Sequence, residues 1–347
     1  MLYKLCDDVN NLILSFLIDR GNQTLLSIDR RYFLTNDIFF LQLTSKYWNN
    51  LITNYIDENY KNIRVRFSNR IEYAAVKGHV NVLEWFKNSG KLYETELKNN
   101  KEVIACASQN GRVNVLEWFS IKSGYEFKYD EGVINHASLN GHIDVLEWFT
   151  KLCKNSEYEF KYDEWALNHA SRNGHIDVLE WFKNSEYEFK YDETAITWAS
   201  SNGHINILEW FKNSEYEFKY NENAILQASW NGHINVLEWF LKLCENSEYE
   251  FTYDTYEDNA INMASSNGHV NVLEWFSKLC ENSEYEFTCD GSEIWSASEG
   301  GHVNILEWFK NSEYEFKYDT DAINMACSYG HVNVLEWFKN SEYEFKY

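Results

Sequence analysis

Small and large apolar side chains alternate in blocks along this chain, and residues 195–220 show one cycle of the pattern. Ala195, Ile196, Ala199 and Ser200 fall three and four residues apart, which makes one narrow helical stripe of small side chains. Asn202 and Gly203 end that helix, since glycine tolerates the left-handed conformation common just past a helix C-terminus. Ile205, Ile207, Leu208, Trp210 and Phe211 then form the broad apolar face of a second helix. Within it Asn206 precedes Glu209 by three positions, the spacing of an N-cap with a capping box, unless the helix starts nearer His204, where the cap reading fails and the helix survives. Tyr216, Phe218 and Tyr220 next alternate with Glu217 and Lys219, a period of two that suits a short extended segment. One unit reads helix, turn, helix, extended finger.

The unit recurs. Its copies centre on Gly78, Gly111, Gly141, Gly174, Gly203, Gly232, Gly268, Gly301 and Gly330. A period of this size predicts a solenoid whose units bury their apolar faces only against their neighbours. Three of the longer units carry an insert ending in Lys, Leu, Cys, at 151–153, 242–244 and 278–280. The insert adds about one helical turn, so it lengthens the second helix without rotating its apolar face. The expected fold is all-α: about nine helix-turn-helix units with short extended fingers over residues 68–347. A small N-terminal helical domain over residues 1–56 precedes them. Leu5, Val9, Leu12, Ile13, Phe16 and Leu17 give that domain an amphipathic helix, with Asp7 and Asp8 near its start where the helix dipole favours anions.

Composition narrows the function. The net charge of -23 is spread through the repeats, so the surface repels phosphate backbones and acidic headgroups. Neither nucleic acid nor membrane is an expected partner. No signal peptide or membrane span stands out, and the seven cysteines form no CxxC pair or zinc spacing. They read as reduced thiols of an intracellular, cytoplasmic protein. Eight histidines follow the glycines, from His79 to His331, with Arg112 in the second copy. A repeat apart, they stand too far from one another to share a metal at about 2.0 Å per nitrogen, and are expected to bond backbone instead. No P-loop, HExxH or GxSxG motif is present, and repeated residues make no unique active site. The chain is read as a monomeric non-enzyme without cofactor, catalytic residues or metal.

Gly-His between two helices, followed by the hydrophobic run of GHINILEWF and its copies, resembles the ankyrin repeat over residues 68–347. The resemblance departs at the first helix, where Ile196 and Thr197 stand at the usual Leu and His and the chain has no proline, and at the tip, where SEYEF replaces the usual Gly-Ala-Asp. In ankyrin-like stacks the positions five and two before each glycine face the concave surface. Here those positions vary, which nominates His136, His169, Arg172, Trp198, Gln227, Trp230, Met263 and Met325 as target-binding residues. Trp198 and Trp230 are the natural anchors, since tryptophan is enriched in binding hot spots.

At the N-terminus, Leu5, Asp7, Asp8, Val9, Ile13 to Leu17, and then Leu41, Thr44, Lys46, Trp48 and Leu51, look like the two segments of an F-box. Cys6 stands where that family usually has proline. The resemblance implies docking of a Skp-type adaptor through Leu5, Val9, Ile13, Leu14 and Leu17, and recruitment of a bound target protein to a cullin ubiquitin ligase. The alternative is a binding scaffold with a merely capping N-terminus. Divergent arrays joined to F-box-like ends look like those of large DNA viruses of amoebae, which would place the protein in a host cell. With the chain closing at Tyr347 inside a finger, the last repeat is expected to be the least protected in hydrogen exchange.

Overall fold

The computed structural model describes residues 70–88, 94–245, 247, 249–253, 259–287, 289–341 and 343. The predicted N-terminal domain, with Leu5, Val9, Ile13, Leu14 and Leu17, lies outside the described residues. The fold is all-helical, built of helix-turn-helix pairs, with no β-strand element among those residues. Contacts divide the chain into two compact units that part between Tyr129 and Asp130.

Among the described residues the second unit holds seven helix pairs: Gly132–Leu139 with Ile143–Lys154, Trp165–Arg172 with Ile176–Lys183, Glu193–Ser201 with Ile205–Asn213, Asn223–Trp230 with Ile234–Glu245, Ala260–Ser266 with Val270–Glu281, Ser292–Gly300 with Val303–Asn311, and Thr320–Tyr329 with Val332–Asn340. The three second helices that carry the Lys-Leu-Cys insert are each 12 residues long, against 8 or 9 in the others, so the insert does lengthen the helix by about a turn.

First helices pack closely on the first helices of both neighbours. Small side chains permit this: Ala137, Ala170, Ala199, Ala228, Ala264, Ala297 and Ala326, each four residues before the turn glycine, are fully buried. Second helices touch one another far less, and their core is large side chains, with Phe149, Phe182, Phe211, Phe240, Phe276, Phe309 and Phe338 all buried. Each such phenylalanine contributes about 1.5–3 kcal/mol by leaving water. Between the helices the glycine is left-handed, as at Gly203 with φ 74. The next amide, of His204, closes back on the carbonyl of Ala199 at 2.9 Å, which completes the helix C-cap.

The capping-box expectation fails. The second helices start two residues earlier than it requires, at Ile205 after His204, with no side-chain cap bond at that residue. The asparagine points instead at the preceding repeat, where Asn304 donates to the carbonyl of Gly268 and Asn333 to that of Gly301, both at 2.8 Å. The glutamate accepts from the tryptophan of the following repeat, as Glu180 does from Trp210 Nε1 and Glu307 from Trp337 Nε1, at 2.5 Å. A spacing of three on a helix puts both side chains on one exposed face, from which the asparagine reaches back and the glutamate forward.

The first unit repeats these contacts. Its pairs are Arg70–Lys77 with Val80–Asn88 and Lys101–Gln109 with Val113–Glu117, and a short helix Glu94–Lys98 lies between them. Asn114 donates to Gly78 and Trp118 to Glu84. The turn after Glu117 carries one residue more than the 29-residue repeats, and Trp118–Lys122 absorbs it as a π-helical turn, the usual device for a single insertion.

Candidate target-binding face

The variable positions lie on the first helices of the second unit. None of the eight nominated side chains is buried: Arg172 and Trp230 are exposed, and His136, His169, Trp198, Gln227, Met263 and Met325 are half-buried. Ser296, at the corresponding position of the sixth pair, is buried, so variation alone does not make a position available.

Three of these residues form one cluster with Trp165, a first-helix residue that the variable positions did not nominate. The Trp198 ring stacks on His169 at 5.2 Å, and Trp165 leans against both at 5.4 Å. The Arg172 guanidinium lies 5.2 Å from the Trp198 ring, within cation–π range. Trp165 is 42% exposed and Trp230 38%, among the few large apolar side chains that are. Its signal was available: Trp165 stands nine residues before Gly174, where the other pairs of this unit carry Gly132, Thr194, Asn223, Asn259, Ser292 and Asp321. Burial lowers the pKa of His169, and Arg172 and His136 push it the same way, which keeps that imidazole neutral at physiological pH. His136 and His169 each hold a buried Nδ1 without a hydrogen-bond partner. The surface therefore offers stacking rings, a guanidinium and the neutral imidazole ring of His169.

Behind this face the sequence is fixed by contacts. Asn168 donates to Asp192 at 2.8 Å, and Asp192 accepts from the Thr194 amide at 2.9 Å, capping the next first helix. Asn135 treats Asp163 the same way. The post-glycine histidines bond backbone, as their spacing led one to expect: His204, His269 and His302 reach the backbone of Arg172, Trp230 and Ser266 in the preceding repeat. Arg112 makes the matching bond to Val76 at 2.7 Å, which explains why arginine serves at that one position.

The aromatic segments that were expected as extended fingers form a ladder against the second helices. Phe189 stacks on Tyr216 at 4.0 Å and Phe160 on Tyr187 at 4.0 Å. The Tyr162 hydroxyl donates to the carbonyl of Glu188 in the next repeat at 2.6 Å, and Tyr191 donates likewise to Glu217. In the second unit the tryptophan before each core phenylalanine is half-buried, and Trp210 lies beneath this ladder with Phe189 at 5.5 Å. Among the thiols, burial raises the pKa of Cys106 and pushes Cys289 up to about 12, which keeps both protonated rather than nucleophilic.

The comparisons agree with this geometry. The family described as ankyrin repeats, in a profile of three copies, matches residues 133–224 and again 167–253. The repeats of residues 133–253 are therefore ankyrin repeats, and such repeats form a protein–protein interaction module. No curated protein matches the chain. Among the described residues no helix is long and apolar enough to cross a membrane.

Proposed function

We propose that the array holds a target protein against its first helices, with Trp165, His169, Arg172 and Trp198 as the centre of the contact and Trp230, Gln227, His136, Met263 and Met325 around it. The observation that carries this reading is the cluster of two tryptophans, an imidazole and a guanidinium, exposed or half-buried on the surface of the first-helix layer. Rigid aromatic anchors with arginine are the composition of binding hot spots. In the same reading residues 1–56 dock a Skp-type adaptor through Leu5, Val9, Ile13, Leu14 and Leu17, so that the bound target reaches a cullin ubiquitin ligase inside a cell. That half rests on the F-box-like residues of the sequence.

The two halves are tested separately. Trp165→Ala with Trp198→Ala should release the target from the full chain while circular dichroism and melting stay close to wild type. Retention of the target by that variant sinks the face. Leu5→Ala, Ile13→Ala and Leu17→Ala together should abolish co-purification of the Skp-type adaptor and leave target capture intact. If wild type brings down no adaptor, the protein is a scaffold with a capping N-terminus.

A further inference from the structure

Two interfaces between second helices are matched in length and differ in charge. In each, a 12-residue helix precedes a shorter one: Ile143–Lys154 before Ile176–Lys183, and Val270–Glu281 before Val303–Asn311. Their scaffolds agree. Tyr187 hydrogen-bonds Thr150 in the first, and Tyr314 donates to Ser277 at 3.1 Å in the second. Trp181 and Tyr187 stack at 6.0 Å, Trp308 and Tyr314 at 5.9 Å. In the first interface Lys154 pairs with Glu186 at 2.9 Å. In the second the corresponding residues are Glu281 and Glu313, two carboxylates, and among the described residues neither has a cationic partner.

A second cation is missing from the same place. At two other interfaces a lysine follows the core phenylalanine and lies over the next repeat's tryptophan, Lys183 at 5.8 Å from the Trp210 ring and Lys212 at 5.9 Å from Trp239. Ser277 holds that position before Trp308. The groove there measures about 690 Å³ and is lined by Val270, Ser277, Glu281, Trp308, Glu313 and Tyr314, with Glu307 at its edge bonded to Trp337. The corresponding groove with Lys183 in it measures about 380 Å³. The chain's own lysines thus show which group such grooves accept: an ammonium over the indole at two interfaces and against a carboxylate at another.

We propose that this groove is a second docking site, apart from the first-helix face, which takes a lysine side chain from a basic segment of a partner protein. The stem lies along Trp308 and Val270 and the ammonium against Glu281 and Glu313. The net charge of -23 draws such a segment toward the chain, and the groove gives it a fixed place.

The test uses the full chain, a fluorescein-labelled hexalysine peptide, and about 150 mM salt to suppress general attraction. Glu281→Lys rebuilds the Lys154 arrangement and should weaken binding at least about tenfold, while the charge-matched Glu217→Lys weakens it less than about twofold. Lys154→Glu should open a second groove and raise the number of peptides bound per chain. Acetylation of the peptide's lysines should abolish binding. Equal losses from Glu281→Lys and Glu217→Lys would mean only diffuse charge attraction and would overturn the proposal. So would wild-type self-association that Glu281→Lys alone abolishes, since the occupant would then be a second copy. All these substitutions lie on exposed side chains, and melting curves superimposable on wild type confirm that the fold is kept.

Discussion

Ala199 and Phe211 belong to one repeat and both are fully buried, yet they hold the array together in different ways. The first-helix layer coheres by closeness: alanine and serine let neighbouring helices meet, and Asn-to-Asp bonds at the helix starts and the rings around Trp198 reach across. The second-helix layer coheres by reach, through Asn to glycine carbonyl, Trp to Glu, Phe on Tyr, and Tyr to backbone. The constant residues of the second layer are those that touch the next repeat. Residues that vary, Trp198 and Trp230 among them, sit on the first helices outside the buried Ala and Ile positions that hold that layer, and so they are free to serve a partner.

The largest expected break in this division comes from the core. Phe211→Ala should cost about 3–5 kcal/mol in urea denaturation, whereas Trp198→Ala, at a half-buried surface site, should cost under about 1.5 kcal/mol. Similar costs would show that the variable layer also carries stability.

The turn glycines sharpen the comparison next. A Cβ on Gly232 would lie 2.6 Å from His269 Nδ1, whereas one on Gly330 would meet nothing within 4 Å, although the φ angles are 74 and 77. Gly330→Ala should cost the left-handed strain alone, about 1–2 kcal/mol, and Gly232→Ala roughly 1 kcal/mol more. Equal costs would mean that the histidine yields freely.

Single rungs of the second layer come third. Tyr162→Phe removes a hydrogen bond to Glu188 and should cost about 1 kcal/mol by chemical denaturation.

Smallest is the pH effect. Burial lowers the pKa of His204, His269 and His302 from the ordinary 6.5. A depressed folded-state value means that folding favours the neutral ring. This contribution is complete above about pH 6.5 and is lost as pH falls through the lowered values. Melting temperatures of wild type and of His204→Gln, His269→Gln, His302→Gln combined should converge on acidification from pH 7.5 to 5.5; parallel curves would deny the linkage.

The sequence made the repeat, the helix pair, the left-handed glycines and the lengthened helices legible, because each is a local pattern of period or conformation. What it hid were partners 24 to 37 residues away. Asn206 and Glu209 have the spacing of a cap, and only the packed neighbours reveal that such residues serve the adjacent repeats. Tyr216 and Phe218 alternate as an extended segment does, but nothing local says that Phe189 of the preceding repeat stacks on Tyr216. Trp165 broke the repeat pattern visibly, yet its place beside Trp198 depends on how closely two first helices approach. The exchange of Lys154 for Glu281 acquires meaning only when Glu186 and Glu313 are seen opposite them.

The central claim is that the target lies on the first-helix layer. A photo-crosslinking amino acid placed at Trp198 or Trp230, one at a time in the full chain, tests it most directly, with the same group at Glu217 of the ladder side as control. The account predicts one shared adduct from positions 198 and 230 and none of that mass from 217. The same adduct from 217, with none from 198 or 230, would contradict it.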